Sequence, residues 1–182
     1  NLMLSGKGKN GGWARGRVVN IIGDGSSGKT LLSLEMAARC FHMLNKEPET
    51  FSKVKNVKIV YNNVEGVMDF PITEMYGESF ENAVEWIQLP TIESFGRDYT
   101  RRVEAMKDGD FLLYIVDSMD TLISEDAQER FLKAAEKDQS EDGSFGMEKQ
   151  KYSGKFFSNL CGIGQGKDAT LDNDAGKTAY LS

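Results

Sequence analysis

Short apolar runs alternate along this chain with segments in which apolar side chains recur at helical spacing. Four short runs are rich in β-branched and other apolar residues, which is typical of buried strands: Arg17–Ile22, Val57–Tyr61, Val84–Leu89 and Phe111–Val116. Helices are predicted over residues 30–44, 94–106, 125–137 and 147–160. Strands alternating with helices imply a mainly parallel sheet with helices on its faces. We therefore predict an α/β fold and a single domain over residues 1–182.

Composition narrows the class of protein but does not identify it. With 182 residues, 40% of them hydrophobic and 27% charged, the chain is an ordinary globular sequence. No apolar stretch approaches 18 residues, so we expect no membrane partner. Cys40 and Cys161 lie far apart, which excludes a disulfide framework and a cysteine-based zinc site and favours a reducing, cytoplasmic compartment. The net charge of −6 argues against whole-protein attraction to nucleic acid but allows a local basic site.

A phosphate-binding motif follows the first apolar run. Eight consecutive residues fit G-x-x-x-x-G-K-[ST] without a mismatch: Gly23, Asp24, Gly25, Ser26, Ser27, Gly28, Lys29 and Thr30. Glycines allow the backbone amides to turn inward toward phosphate oxygens, and a helix N-terminus adds partial positive charge. In such a loop the lysine reaches the β- and γ-phosphates and the Thr hydroxyl holds Mg²⁺. The motif therefore predicts a site for the phosphates of a nucleotide.

Acidic residues follow two of the predicted strands. Asp117 comes directly after Phe111–Val116, the Walker B arrangement, and would hold Mg²⁺ together with the Thr30 hydroxyl or through bound water. Glu65 follows Val57–Tyr61 at the same sheet edge, where it could orient and deprotonate the attacking water. The alternative for Glu65 is a solvated glutamate in a turn.

Taken together, these segments resemble the RecA family of ATP-dependent recombinases, particularly its shorter phage-borne members. The resemblance covers about residues 1–160. The matching segments are 1–6, 16–32, 63–69, 113–118 and 143–146.

The resemblance implies a RecA-like P-loop NTPase core that binds ATP and Mg²⁺. By position it makes Glu65 and Lys29 the catalytic residues and places Asp69 near the adenine base. Ile72 occupies the position where the family places an aromatic side chain, with Phe70 close by. The family further implies single-stranded DNA as partner, assembly into a helical filament, and a bacterial or phage-infected cell.

The segment 141–147 corresponds to the family's first DNA-binding loop, which precedes a predicted helix. The candidate DNA contacts are Ser144, Phe145 and Gly146 in the loop and Lys151 in the helix. Phe145 would either wedge between bases or cap the following helix against the core. Lys151 shares a helix face with Lys155, and a solvated amphipathic helix is the alternative.

The chain departs from the family after residue 171. There the family continues with an apolar strand and a second DNA-binding loop, whereas residues 172–177 are polar. We therefore expect the domain to lack part of the C-terminal sheet and the second DNA-binding loop. Two alternative functions stay open: a RecA-fold helicase or motor, and a nucleotide-dependent assembly protein that does not hydrolyse ATP.

Overall fold

The computed structural model describes residues 17–46, 53–136, 156, 158–160, 162 and 178–181, which form an α/β fold. In this part of the chain the strands are Asn56–Asn63 (β1), Val84–Ile87 (β2), Asp110–Asp117 (β3) and Thr178–Leu181 (β4). The α-helices are Lys29–Lys46 (α1), Ile72–Tyr76 (α2), Glu78–Ala83 (α3), Ile92–Glu104 (α4) and Glu125–Glu136 (α5). A short 3-10 helix, Met119–Thr121, follows β3.

The sheet is parallel, with its strands in the order β2-β1-β3-β4. Along the full length of β1, each residue pairs with β3, from Asn56 with Asp110 to Asn63 with Asp117. Neighbouring parallel strands end at the same edge of a sheet, and open α/β sheets bind ligands beyond that edge. The loops that follow Asn63 and Asp117 therefore lie side by side.

Helices cover both faces of the central strands. On one face, Leu113 and Ile115 pack in a cluster with residues of α1, α2 and α3. On the opposite face, Leu112 and Tyr114 pack in a second cluster with residues of α4. A strand buried on both sides loses the alternation of polar and apolar residues, which explains the continuous apolar run of β3.

Most of the predicted elements are confirmed. Strands β1, β2 and β3 and helices α1, α4 and α5 lie where the sequence pattern placed them. Helix α4 begins earlier than predicted because Thr91 caps it, its Oγ1 accepting from Ser94 N at 3.1 Å. Of the helix predicted over 147–160, residues 156 and 158–160 are helical, and residues 147–155 and 157 lie outside the described residues.

The prediction of a strand over 17–22 is wrong. Val18 forms only an isolated bridge, residues 19–22 are not in a strand, and Ile22 is 87% exposed. A strand needs a neighbour with free backbone groups, and residues 111–114 of β3 already pair with β1 on one edge and with β4 on the other. The sequence pattern predicted neither β4 nor the short helices α2 and α3. None of the helices in the described part of the chain is long and apolar enough to cross a membrane.

Asp110, at the beginning of β3, makes the unfolding free energy depend on pH in the acid range. Its buried carboxylate accepts from Asn56 Nδ2 at 2.9 Å and from Lys107 N at 3.1 Å. The Asn56 hydrogen bond, followed by that from Lys107, holds the pKa of Asp110 below its usual range. The unfolded chain therefore takes up this proton more readily than the folded chain. The stability that Asp110 confers is complete above about pH 4 and is lost as the pH falls through the lowered pKa.

We expect Asp110→Asn to flatten the fall of the unfolding free energy below about pH 4. Urea denaturation at a series of pH values measures this slope. The exposed neighbour Asp108, changed to Asn, is the control and should keep the wild-type slope. A wild-type slope in Asp110→Asn would contradict the assignment.

Candidate nucleotide-binding site

The loop Gly23–Gly28 leads directly into α1, which begins at Lys29. Its backbone adopts two left-handed conformations, at Ser26 (φ 58°) and at Gly28 (φ 87°), and the second favours glycine. At Gly23, a Cβ atom would lie only 2.5 Å from Ser27 Oγ, so a larger residue would require the Ser27 side chain to move. The left-handed conformation at Gly28 thus serves the shape of the loop.

Lys29 folds back over this loop. Its Nζ donates to the carbonyl oxygens of Gly23 and Asp24, at 2.8 Å in each case. An ammonium group has three protons to donate, so one remains for a third acceptor. Lys29 is therefore held at the mouth of an exposed loop, with a donor left for an anion.

The chemistry of this loop suits a phosphate group. Residues 23–28 are exposed, so an anion can reach them from solvent. The first turn of α1 contributes the partial positive charge of a helix N-terminus, and the Lys29 ammonium contributes a full charge. These features favour a polyphosphate over a neutral ligand.

A chain of hydroxyl groups links α1 to the end of β3. Ser33 Oγ lies 2.8 Å from the Thr30 carbonyl oxygen and 3.1 Å from the Tyr61 hydroxyl. The Tyr61 hydroxyl in turn donates to Asp117 Oδ2 at 2.7 Å. The structure thus brings the helix that carries Lys29 and Thr30 to the same end of the sheet as Asp117.

Glu65 lies at the same edge, in the turn after β1. Its Oε1 accepts from Ser118 Oγ at 3.0 Å, and the neighbouring Val64 N donates to the Asp117 carbonyl oxygen at 2.8 Å. Asn63 supports the turn: its Oδ1 accepts from Gly66 N at 3.2 Å. The exposed Glu65 carboxylate is therefore held beside Asp117, where it can accept a proton from a water molecule.

Asp69 is not brought into this network. It lies exposed in the segment between β1 and α2, and in the described part of the chain no contact joins its side chain to the phosphate loop. Its neighbours Met68 and Ile72 help to line a cleft of about 370 Å³ beside the Glu65 turn. Trp86 lines the same cleft and supplies an aromatic ring that the sequence analysis did not identify.

These side chains could hold Mg²⁺ only together with the phosphate oxygens of a bound nucleotide. Among the described residues, no group of three or more His, Cys, Asp or Glu side chains could hold a metal ion. Nucleotide-bound Mg²⁺ needs no such cage, because it takes one or two protein oxygens together with phosphate oxygens and water. Thr30 and Asp117, at neighbouring ends of α1 and β3, provide oxygens of that kind.

The candidate DNA contacts Ser144, Phe145, Gly146 and Lys151 lie outside the described residues. Three residues of the site were missed by sequence reasoning: Ser33, Tyr61 and Asn63. A hydroxyl-bearing residue within the apolar segment Ile59–Tyr61, and an Asn at the end of the strand, are signals that could have identified Tyr61 and Asn63.

No protein-family model matches this chain, and no curated protein matches its sequence. The fold and the site define an α/β protein with an open parallel sheet and a glycine-rich loop that leads into a helix.

Proposed function

We propose that this chain is the ATP-hydrolysing core of a RecA-like recombinase that acts on single-stranded DNA. One observation carries the ATPase part of the proposal. The loop Gly23–Thr30 opens α1, and Ser33 and Tyr61 link that helix to Asp117, beside the turn that carries Glu65. A phosphate-binding loop, a strand-end carboxylate and a second carboxylate at one sheet edge are the parts that nucleotide hydrolysis requires.

In this proposal each residue has a distinct role toward ATP. The loop amides and Lys29 bind the β- and γ-phosphates, and Thr30 and Asp117 would hold Mg²⁺. Bound Mg²⁺ offsets negative charge on the phosphate oxygens. Glu65, held by Ser118, orients water for in-line attack and accepts its proton. Lys29 is already placed at the loop, so little reorganisation is needed when phosphate binds.

The cleft of about 370 Å³ beside the Glu65 turn is our candidate site for the adenine base. Met68, Ile72 and Trp86 give it an apolar wall, and Asp69 lies between the first two along the chain. The acid that lines the cleft is Glu81. An acid and an apolar wall suit the amino group and the face of a purine.

The DNA part of the proposal rests on the family resemblance. Ser144, Phe145, Gly146 and Lys151 correspond to a DNA-binding loop and the helix after it, and the family assembles as a helical filament. A basic local site is required there, because the net charge of −6 gives the whole chain no attraction to phosphate backbones.

ATP hydrolysis with and without a single-stranded oligonucleotide tests this proposal. We expect turnover to rise several-fold on adding the DNA. Lys29→Ala should lower turnover roughly 100-fold or more, because it removes a charged donor from the transferred phosphoryl group. Lys53→Ala, at an exposed lysine before β1, is the matched control and should change turnover little.

Other results would replace the proposal with one of the alternatives. Hydrolysis that ignores DNA would indicate a motor of the same fold acting on a different partner. ATP binding without hydrolysis would indicate a nucleotide-dependent assembly protein. Hydrolysis that survives Lys29→Ala would remove the site from residues 23–30.

A further inference from the structure

Tyr61 is a buried polar side chain in the middle of the sheet. It is 0% exposed, in β1, and its neighbours in the apolar cluster include Leu34 and Ile115. A phenylalanine would fill the same space, so packing does not account for the hydroxyl group. Burying a hydroxyl costs free energy unless it is hydrogen-bonded. The partners of this hydroxyl therefore indicate what it does.

Those partners lie on the two elements that form the nucleotide site. Asp117 Oδ2 lies 2.7 Å from the Tyr61 hydroxyl, and Ser33 Oγ lies 3.1 Å from it. Ser33 is itself buried, at 4% exposed, and belongs to the first turns of the helix that carries Lys29 and Thr30. The hydroxyl thus bridges the phosphate-loop helix and the strand-end carboxylate.

The protons can be assigned from chemistry. An ionised carboxylate only accepts, so the Tyr61 hydroxyl donates its single proton to Asp117. In its contact with Ser33, the Tyr61 oxygen can then act only as an acceptor. The Ser33 hydroxyl has one proton, and its other acceptor within reach is the Thr30 carbonyl oxygen. Asp117 is held in one rotamer through Oδ2. Oδ1 has no hydrogen bond within the described part of the chain, and it can face a metal-bound water.

We propose that Tyr61 is a positioning residue: its hydroxyl fixes the Asp117 carboxylate for Mg²⁺ and connects it, through Ser33, to the phosphate-loop helix. This inference rests on the proposed ATP site. Hydrogen-bond partners of metal-binding carboxylates orient them, and losing such a partner typically weakens metal binding 10–100-fold.

The sheet offers a matched control in Tyr114. It is also 0% exposed, and its hydroxyl also donates to an aspartate, Asp98 Oδ2 at 2.9 Å. Its register partner on β1 is Val60, the residue next to Tyr61, so the two tyrosines are neighbours on opposite faces. Phe substitutions at the two positions remove the same atom from similar surroundings, but only one position contacts Asp117.

The experiment measures how binding of a fluorescent ATP analogue depends on Mg²⁺ concentration. For Tyr61→Phe we expect the half-saturating Mg²⁺ concentration to rise about tenfold. Tyr114→Phe should leave it unchanged, although both variants should lower the melting temperature. Ser33→Ala should shift it in the same direction by less, and this variant keeps the inference testable if Tyr61→Phe does not fold.

The outcomes separate the inference from the function on which it rests. A wild-type Mg²⁺ dependence in Tyr61→Phe or Ser33→Ala, with the wild-type protein binding normally, would overturn the positioning role and leave the ATP site intact. An equal shift in Tyr114→Phe would also overturn it, since general loosening of the sheet would then explain the effect. Absence of Mg²⁺-dependent nucleotide binding by the wild-type protein would overturn the proposed function itself.

Discussion

Replacing Glu65 by glutamine is expected to lower ATP turnover by about 10²–10⁴-fold while leaving ATP binding nearly unchanged. The amide has almost the same shape as the carboxylate, and its oxygen can still accept the hydrogen bond that Ser118 donates at 3.0 Å. What the amide loses is the ability to take a proton from water. Steady-state hydrolysis measures the loss, and titration with a fluorescent ATP analogue shows whether binding persists.

The matched control is Glu74→Gln, an exposed glutamate in α2 with the same change of charge. It should keep turnover within about twofold, because surface substitutions away from a site have small effects. If Glu65→Gln hydrolyses ATP as fast as Glu74→Gln does, Glu65 is not the base. If Glu65→Gln loses ATP binding as well, its role is in binding rather than in proton transfer.

The parts of the fold that could be predicted are those that depend on local sequence. The continuous apolar run of β3 reflects burial on both faces, and the glycine-rich loop uses a left-handed backbone conformation at Gly28. Both features are determined by residues that are close together in the sequence. For the same reason Asp117 and Glu65 could be assigned to one sheet edge before the structure was known, since each follows an apolar run.

The parts that could not be predicted depend on residues far apart in the chain. Tyr61 contacts Ser33 and Asp117 across 28 and 56 positions, and only the register of β1 with β3 brings them together. Residues 17–22 carry a good strand pattern, but a strand also needs a free neighbouring edge. Over residues 111–114, β4 occupies the edge of β3 that faces away from β1, and a local pattern contains no information about such pairing.

Contacts between distant residues also determine the surroundings of two arginines of α4. In the structure Arg101 and Arg102 both bind Asp98, at 2.5 Å and 2.6 Å, and Arg102 also forms a bidentate pair with Glu85 of β2. The Asp98 side chain is only 9% exposed, and the Tyr114 hydroxyl donates to it from β3. Among these described contacts Arg101 pairs within α4. Arg102, through Glu85, and Asp98, through the Tyr114 hydroxyl, connect α4 to the sheet.

Removing the Asp98 carboxylate, which binds Arg101, Arg102 and Tyr114, should lower the unfolding free energy substantially. We expect Asp98→Ala to lower the unfolding free energy by about 3 kcal/mol, at the lower end of the range for breaking a buried ion pair. Arg102 keeps Glu85, which limits the loss, but the buried Tyr114 hydroxyl loses its acceptor. Domains of this kind have about 5–15 kcal/mol in total, so urea denaturation would detect the change easily.

The contribution of Asp98 to the unfolding free energy of the wild-type protein should also depend on pH. Burial raises the pKa of Asp98, but hydrogen bonds from Arg102, Tyr114 and Arg101 outweigh it and leave the pKa below its usual range. Its stabilising effect is therefore complete above about pH 4 and disappears as the pH falls through the lowered pKa, so Asp98→Ala should cost progressively less in acid. The control is Glu35→Ala, which breaks an exposed i,i+4 pair with Arg39 and should cost no more than about 0.5 kcal/mol. Equal losses in the two variants would mean that the cluster at Asp98 is no stronger than a surface ion pair, and α4 would then be held by its apolar contacts alone.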